Sequence, residues 1–225
     1  AEATYGKIPA RGEAPQRNRP MEPEPRDHKL VSLADEKVEQ PIAQQLYLVP
    51  SYRTAAEGEG EALDLLAHIL GGGLISHLYK SLVIEQKVAV GAGASYWGNA
   101  YDQTRFHIYA VPPPDVSLEQ LEAAVTDVIT SMCEDLVDTK ELERAKTRLI
   151  ADTVYAQDSQ VTLARVYGMS LTTGSSIEDV QQWPERIEAV TAEDIRSAAR
   201  KWLQRRRSVT GYLLPAASMA VGEPA

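Results

Sequence analysis

The chain has 225 residues, a net charge of −9 and a pI near 5.0, and 44% of its residues are hydrophobic. This length and apolar content can fill the core of one large domain or two small ones. The acidic balance argues against a nucleic-acid partner, and the single cysteine, Cys133, excludes an internal disulfide and a zinc site built from cysteines. No apolar run approaches the ~20 residues of a membrane-spanning helix, and no signal peptide opens the chain. Because the chain begins at Ala1 and not at Met, we expect a fragment or a processed product, in which a targeting signal would be lost.

The first 27 residues combine five prolines with many charges and offer almost nothing that could be buried. Such a composition is typical of an extended linker. We therefore predict a proline-rich linker over residues 1–27, a single domain over 28–215 and a flexible tail over 216–225.

Two strands, a helix, a short helix and two more strands are predicted over the first half of the domain. The strands read "HKLVSLA" and "PIAQQLYLVPSY", and the long helix has an apolar face that ends at three glycines, Gly71 to Gly73. A short helix is expected from a cap at Ser76 to about Gln86. The strands "VAVGAGASYW" and "TRFHIYAVP" follow, joined by the polar turn "GNAYDQ".

The second half is predicted to be helical until a last strand. Capping signals stand at Ser117, Thr139, Ser176 and Thr191, and the final strand reads "SVTGYLLP". Hairpin-linked strands with the helices gathered together indicate an α+β fold, a two-layer sandwich of a largely antiparallel sheet packed against helices.

The glycine run beside Lys80 and Ser81 suggests a phosphate-binding loop, but the spacing excludes it. That motif needs glycine directly before Lys-Ser, and Tyr79 stands there. The dinucleotide fingerprint also fails, since Ser76 occupies the position of its third glycine and the glycines follow a helix instead of a strand.

The residues offer no complete catalytic or metal site. The four histidines do not form H-E-x-x-H or H-x-x-E-H, so no zinc motif is present. His68 is expected at the boundary of a core, His107 on the opposite strand face from Phe106, and Cys133 as a small core residue. Ser76 and His77 are helix neighbours whose side chains point about 100° apart, so they do not form a nucleophile–base pair.

Across nearly its whole length the sequence resembles the second half of bacterial zinc peptidases related to pitrilysin, insulin-degrading enzyme and the mitochondrial processing peptidases. The resemblance lies in "YLVPSY", "ALDLLAHILGGGLISHLYKSLVIEQKVAVGAGASY", "ELERAKTRLIADTVYAQDS", "LTTG" and "VTAEDIRSAARKWL", and the opening "TYGKIPAR" resembles the connector between the two halves. The pattern is spread along the chain, which makes it more specific than a single short motif.

The resemblance implies a subunit of two homologous α+β halves, with four halves enclosing a chamber for peptide substrates. Zinc would be held by H-x-x-E-H and a distant Glu in the first half, so this chain would need no cofactor of its own. The implied partners are the N-terminal half of the same subunit and a homologous subunit. The bacterial periplasm is consistent with this resemblance as the location of the parent protein.

Second halves that support catalysis carry an Arg on the short helix and a Tyr seven residues later. In "LVIEQKVAV" these positions are Val83 and Val90, and valine can neither donate a hydrogen bond nor stabilise an oxyanion. The resemblance therefore implies the tail half of a zinc-bearing subunit whose partner supplies the Arg–Tyr pair. Its expected contribution is chamber wall and subunit interface, with the wall formed by Val83, Val90, Ala92, Ala94 and Tyr96 and with no catalytic or metal-binding residue in this chain.

An alternative from a different functional class remains open. The missing pair also fits an assembly scaffold from a catalytically inactive homologue, such as a core subunit of a respiratory complex. An H-x-x-E-H about one domain upstream of Ala1 would distinguish the two hypotheses.

Overall fold

The computed structural model describes residues 2–9, 12, 19–20 and 23–216. Its strands are β1 Lys29–Asp35, β2 Ile42–Val49, β3 Gly91–Tyr96, β4 Thr104–Val111 and β5 Ser208–Pro215. They form one five-stranded sheet in the order β1-β5-β2-β4-β3. β1 and β5 run parallel and the other neighbours run antiparallel, so the predicted α+β fold with a largely antiparallel sheet is confirmed.

The helices follow the predicted order along the chain. They are α1 Glu59–Gly71, a π helix at Tyr79–Glu85, α2 Leu118–Glu134, α3 Thr139–Ala156, α4 Gln160–Thr172, α5 Ile177–Gln181, α6 Trp183–Ala189 and α7 Ala192–Trp202. Short 3-10 turns lie at Tyr5–Lys7 and Arg205–Arg207. Within the described ranges, no helix combines the length and the apolar character needed to cross a membrane.

The sheet has a covered face, packed against helices, and an open face on its other side. In β2 every second residue is buried, which is the period of a strand with one face against a core. Tyr47 of β2 lies opposite Phe106 of β4, and both are almost fully buried on the covered face. Leu46 lies opposite His107 on the open face, where both remain partly exposed. The single buried side of β2 and of β4 therefore determines on which side the helices lie.

The core lies between the covered face and α1. From the helix, Leu63, Leu66 and Leu70 are fully buried, and from the sheet Phe106 and Ile108 meet them. α1 also packs against α3 and α7, so it is the central helix of the second layer.

The capping signals mostly match, with two differences. Thr191 and Asp194 form a capping box, as their spacing predicts. At α3 the cap is Asp138 and not Thr139, because the Asp138 carboxylate accepts hydrogen bonds from two backbone amides of the first turn. The Ser76 hydroxyl donates to the Gly73 carbonyl (2.7 Å) instead of accepting from the next helix. Where two cap-forming residues are neighbours, as Asp138 and Thr139 are, the sequence alone does not show which of them takes the N-cap position.

The described part of the predicted linker contacts the domain at two points. The guanidinium of Arg19 donates to Asp102 (2.9 Å), and that of Arg207 donates to Glu24 (2.6 Å). The boundaries of the linker and of the domain stay predictions, and the predicted tail beyond residue 216 lies outside the described residues.

Gly71 permits a close contact between the helix layer and the sheet. A Cβ atom at this position would lie 1.9 Å from the backbone nitrogen of Ala94 in β3. Two residues later, Gly73 has φ +119°, which a residue with a side chain rarely adopts. The glycine run thus ends α1 directly against β3 and reverses the chain, which is a structural role and not a phosphate-binding one.

We expect Gly71→Ala to lower the free energy of unfolding by about 2–3 kcal/mol, because the added methyl group forces α1 and β3 apart. Gly168→Ala is the matched control, since Gly168 lies inside α4 and, apart from its chain neighbours and the backbone of its own helix, no described heavy atom lies within 4 Å of the position that its added methyl group would take. In that control the free energy of unfolding should rise by up to about 1 kcal/mol, because alanine has a higher helix propensity than glycine. Urea unfolding of both variants measures the difference, and equal effects would contradict the close-contact account.

Candidate functional site

The segment from Gly71 to Tyr96 contains all five predicted wall residues. Its π helix has the wider backbone pairing of that helix type, with Gln86 N donating to Ser81 O. The chain then turns at Lys87, which has a positive φ of 56°. The amides of Val88 and Ala89 both donate to the Leu82 carbonyl, so the end of the helix holds the start of β3 in place.

The two valines predicted to stand at the Arg and Tyr positions, Val83 and Val90, occupy different environments. Val83 is partly buried and packs against the core. Val90 is 53% exposed, and its amide donates to the Val111 carbonyl of β4 (2.8 Å). Of the two, only Val90 lies at a surface that another molecule could contact.

The remaining three wall residues share the covered face of β3. Ala92 is buried, Ala94 lies against Gly71 of α1, and the Tyr96 hydroxyl donates to the Pro50 carbonyl (2.7 Å). Burial raises the pKa of Tyr96 well above its usual range. The structure therefore brings these three together beneath the helices and leaves Val90 apart from them, and their role as a chamber wall stays a prediction.

The open face beside β3 carries aromatic and cationic side chains. Trp97 is 55% exposed, and the Arg105 guanidinium lies 4.3 Å from the centre of its ring. The rings of His107 and Tyr109 lie 6.1 Å apart on β4. Burial, with a contribution from the charge of Arg105, lowers the pKa of His107, so this imidazole is neutral at pH 7. The surface can contact a chain through stacking and hydrogen bonding.

The histidines do not assemble a metal site in the described part of the chain. His77 pairs with Glu141 (3.1 Å), and His28 pairs with the hydroxyl of Thr210 (2.8 Å). Among the residues that the structure describes, no three His, Cys, Asp or Glu side chains come close enough to bind a metal ion together. These residues do not fit the zinc centre of a peptidase.

A cavity of about 890 Å³ lies between the loops that follow β2 and β3 and the helices α1, α3, α4 and α6. At its edge, the Tyr52 hydroxyl donates to the Asp64 carboxylate and accepts a hydrogen bond from the Trp183 indole (2.6 Å). Next to this group, the Arg186 guanidinium donates to Glu61 (2.6 Å), which is itself buried. These contacts tie the loop after β2 to α1 and α6.

Burial raises the pKa of Asp64 from 3.8 to about 7, although hydrogen bonds from Tyr52 and Trp183 act in the opposite direction. The same burial raises the pKa of Tyr52 above its usual range, so its phenol stays a donor. Sequence reasoning missed this group. Its one signal is an aspartate within the apolar run "ALDLLAHIL", where a charged side chain needs a buried partner.

We expect the stability of the fold to fall as the pH rises from about 4 to about 7. In this range folded Asp64 keeps a proton that the unfolded chain has lost, so the unfolded state binds fewer protons and deprotonation favours it. The contribution is on the order of 2–4 kcal/mol. Asp64→Asn should remove it, which urea unfolding of both proteins across this range measures; parallel pH profiles would contradict the assignment.

Comparison with known proteins identifies the family. The family model of the peptidase M16 inactive domain matches residues 1–149. A comparison with curated protein sequences finds no match. The structural likenesses that follow are below 25% identity, so they bear on the fold alone.

The fold is similar to a protease from Helicobacter pylori, with a TM-score of 0.85 and 19% identity over 95% of this chain and 50% of that one. It is similar to the peptidase M16 inactive domain from Pseudomonas fluorescens, with a TM-score of 0.67 and 18% identity over 93% and 47% of the two chains. It is also similar to a chain of complex III2 from Candida albicans, with a TM-score of 0.68 and 12% identity over 86% and 47%. This chain thus spans about half the length of these relatives. It belongs to the family of peptidase M16 inactive domains.

Proposed function

We propose that this chain is the non-metal-binding C-terminal half of a zinc metalloendopeptidase subunit, and that it forms part of the chamber wall and of the subunit interface. Family membership supports the peptidase setting, and the lack of a fitting ligand set among the described residues agrees with zinc held in the N-terminal half. The observation that carries the wall role is the one-sided sheet, with helices on one face and exposed aromatic side chains on the other.

The open face supports the wall role through its chemistry. Trp97 and Tyr109 present exposed rings and hydrogen-bonding groups, the ring of His107 lies beside that of Tyr109, and Arg105 supplies a cation held over an indole. Side chains of these types contact peptides of varied sequence, because stacking and single hydrogen bonds are not specific for one particular peptide side chain. In this proposal a peptide would pass along the open face on its way to the zinc half.

Among the five predicted wall residues, Val90 takes the direct role in the proposal because its side chain is 53% exposed. The other four residues do not contact the peptide in this proposal. They fix the position of the π helix and β3 relative to α1: Val83, Ala92, Ala94 and Tyr96. Neither valine can donate a hydrogen bond to developing negative charge. A partner subunit must then supply the Arg and the Tyr that stabilise it.

We expect the full zinc-bearing subunit to be nearly inactive alone and to gain activity when it is mixed with a homologous subunit that carries the Arg–Tyr pair. Loss of one oxyanion donor costs roughly a hundred- to a thousand-fold in rate. Turnover of a fluorogenic peptide, with and without the partner, measures the gain. The matched control is the same partner with its Tyr replaced by Phe, which keeps the ring and removes the donor. Full activity of the subunit alone would overturn the assignment of Val83 and Val90.

The second candidate function is an assembly scaffold without peptidase activity. The likeness of fold to a chain of complex III2 from Candida albicans favours it. The two functions differ in the polypeptide that precedes this domain. H-x-x-E-H in the N-terminal half supports the enzyme, and an N-terminal half of the same fold without that motif supports the scaffold.

A further inference from the structure

β1 is an edge strand with an unusually apolar surface. It pairs along one side with β5, in the register from Lys29 opposite Val209 to Asp35 opposite Pro215. Its aliphatic side chains are exposed on both faces of the sheet: Leu30 by 57%, Val31 by 56% and Leu33 by 63%. Among the described residues no strand pairs with the outer side of β1, so the strand combines a row of unpaired backbone donors and acceptors with apolar side chains above and below it.

Edges of this kind are templates for another strand. Proteins that stay monomeric protect an edge with prolines, bulges or charges in its middle. β1 has no proline, and its charges, Lys29 and Asp35, stand at its two ends. The middle of the strand is open to pairing through its backbone and through its aliphatic side chains.

We propose that β1 pairs with β1 of a second copy of this chain, in antiparallel orientation about a two-fold axis at Ser32. The two five-stranded sheets would then join edge to edge, with both helix layers on the same side. This interface is separate from the open face and does not depend on the peptidase role.

Charge complementarity selects the second copy as the occupant. With the axis at Ser32, Lys29 of each copy lies opposite Asp35 of the other, so both ends of the paired strands carry opposite charges. Pairing with an unrelated strand would not require opposite charges at the two ends of β1, whereas antiparallel pairing of two identical strands does.

The apolar residues complement each other in the same register. Leu30 lies opposite Ala34 of the second copy, and Val31 lies opposite Leu33. Opposite residues of an antiparallel pair share one face, so registers that keep the helices together differ by steps of two residues. Moving the axis to Val31 or to Leu33 places a charged end opposite an aliphatic side chain.

The other edge of the sheet lacks these features. β3 is rich in small residues, reading "GAGASY", and the π helix packs against it. Its Gly93 lies under the ring of Tyr109, where a Cβ atom would approach a ring carbon to 2.7 Å. β3 offers neither complementary charged ends nor a run of exposed aliphatics.

An interface of one strand is at the small end of the range for specific complexes, so we expect a dissociation constant in the micromolar range. Sedimentation equilibrium of the whole chain at several concentrations should show monomers and dimers. Added salt should weaken the dimer, because its ion pairs are exposed.

Charge reversal tests the register. Lys29→Glu places two carboxylates together at each end, and Asp35→Lys places two ammonium groups together, so each variant should raise the dissociation constant about tenfold or more. The double variant, Lys29→Glu with Asp35→Lys, restores opposite charges in reversed order and should return it towards the original value. Ser32→Lys, which brings two cations together at the axis, should also weaken the dimer.

Asp35 also accepts a hydrogen bond from the backbone amide of Lys37 (2.8 Å), so its replacement removes a local contact as well as a charge. Circular dichroism melts therefore serve as the control that each variant is folded. Three outcomes would overturn the proposal. The first is a chain that stays monomeric at all concentrations. The second is a dimer whose dissociation constant is unchanged by both single reversals, and the third is a double variant whose dissociation constant is as high as those of the single variants.

Discussion

Burial of one face of the sheet against helices is the constraint on which the rest of this structure depends. Strands with a two-residue period of buried side chains need a helix layer on one side only, and α1 supplies its centre. The contact is close because Gly71 brings the end of α1 against the backbone of Ala94. The same arrangement leaves an open face with Trp97 and Tyr109 at its surface, so fold and candidate function have one physical origin.

The close contact also determines what the segment after α1 can do. The chain leaves α1 through a glycine with positive φ, forms a π helix and enters β3. Val83 is held against the core and Val90 reaches the surface, so side chains at these two positions lie in different environments. Valine offers no hydrogen-bond donor at either position.

The local pattern of the sequence predicts most of the elements, because strand alternation, helical stripes and caps act over a few residues. The alternation of "IAQQLYLV" and the Thr191–Asp194 cap are examples, and both are confirmed. The strand order could not be predicted, since the pairing of β1 with β5 joins residues from opposite ends of the chain. The Tyr52–Asp64–Trp183 group was missed for the same reason. Its members come from three segments, and only Asp64 leaves a trace in the local pattern.

The central claim is that the open face lines a chamber in the assembled peptidase. Oxidative footprinting of the assembled enzyme, made inactive in its zinc half and saturated with peptide, tests this most directly. The account predicts peptide-dependent protection of Trp97 and Tyr109, while Tyr155 on α3, which is 74% exposed and outside this face, stays equally reactive. Unchanged reactivity of Trp97 and Tyr109, or protection of Tyr155 in their place, would contradict it.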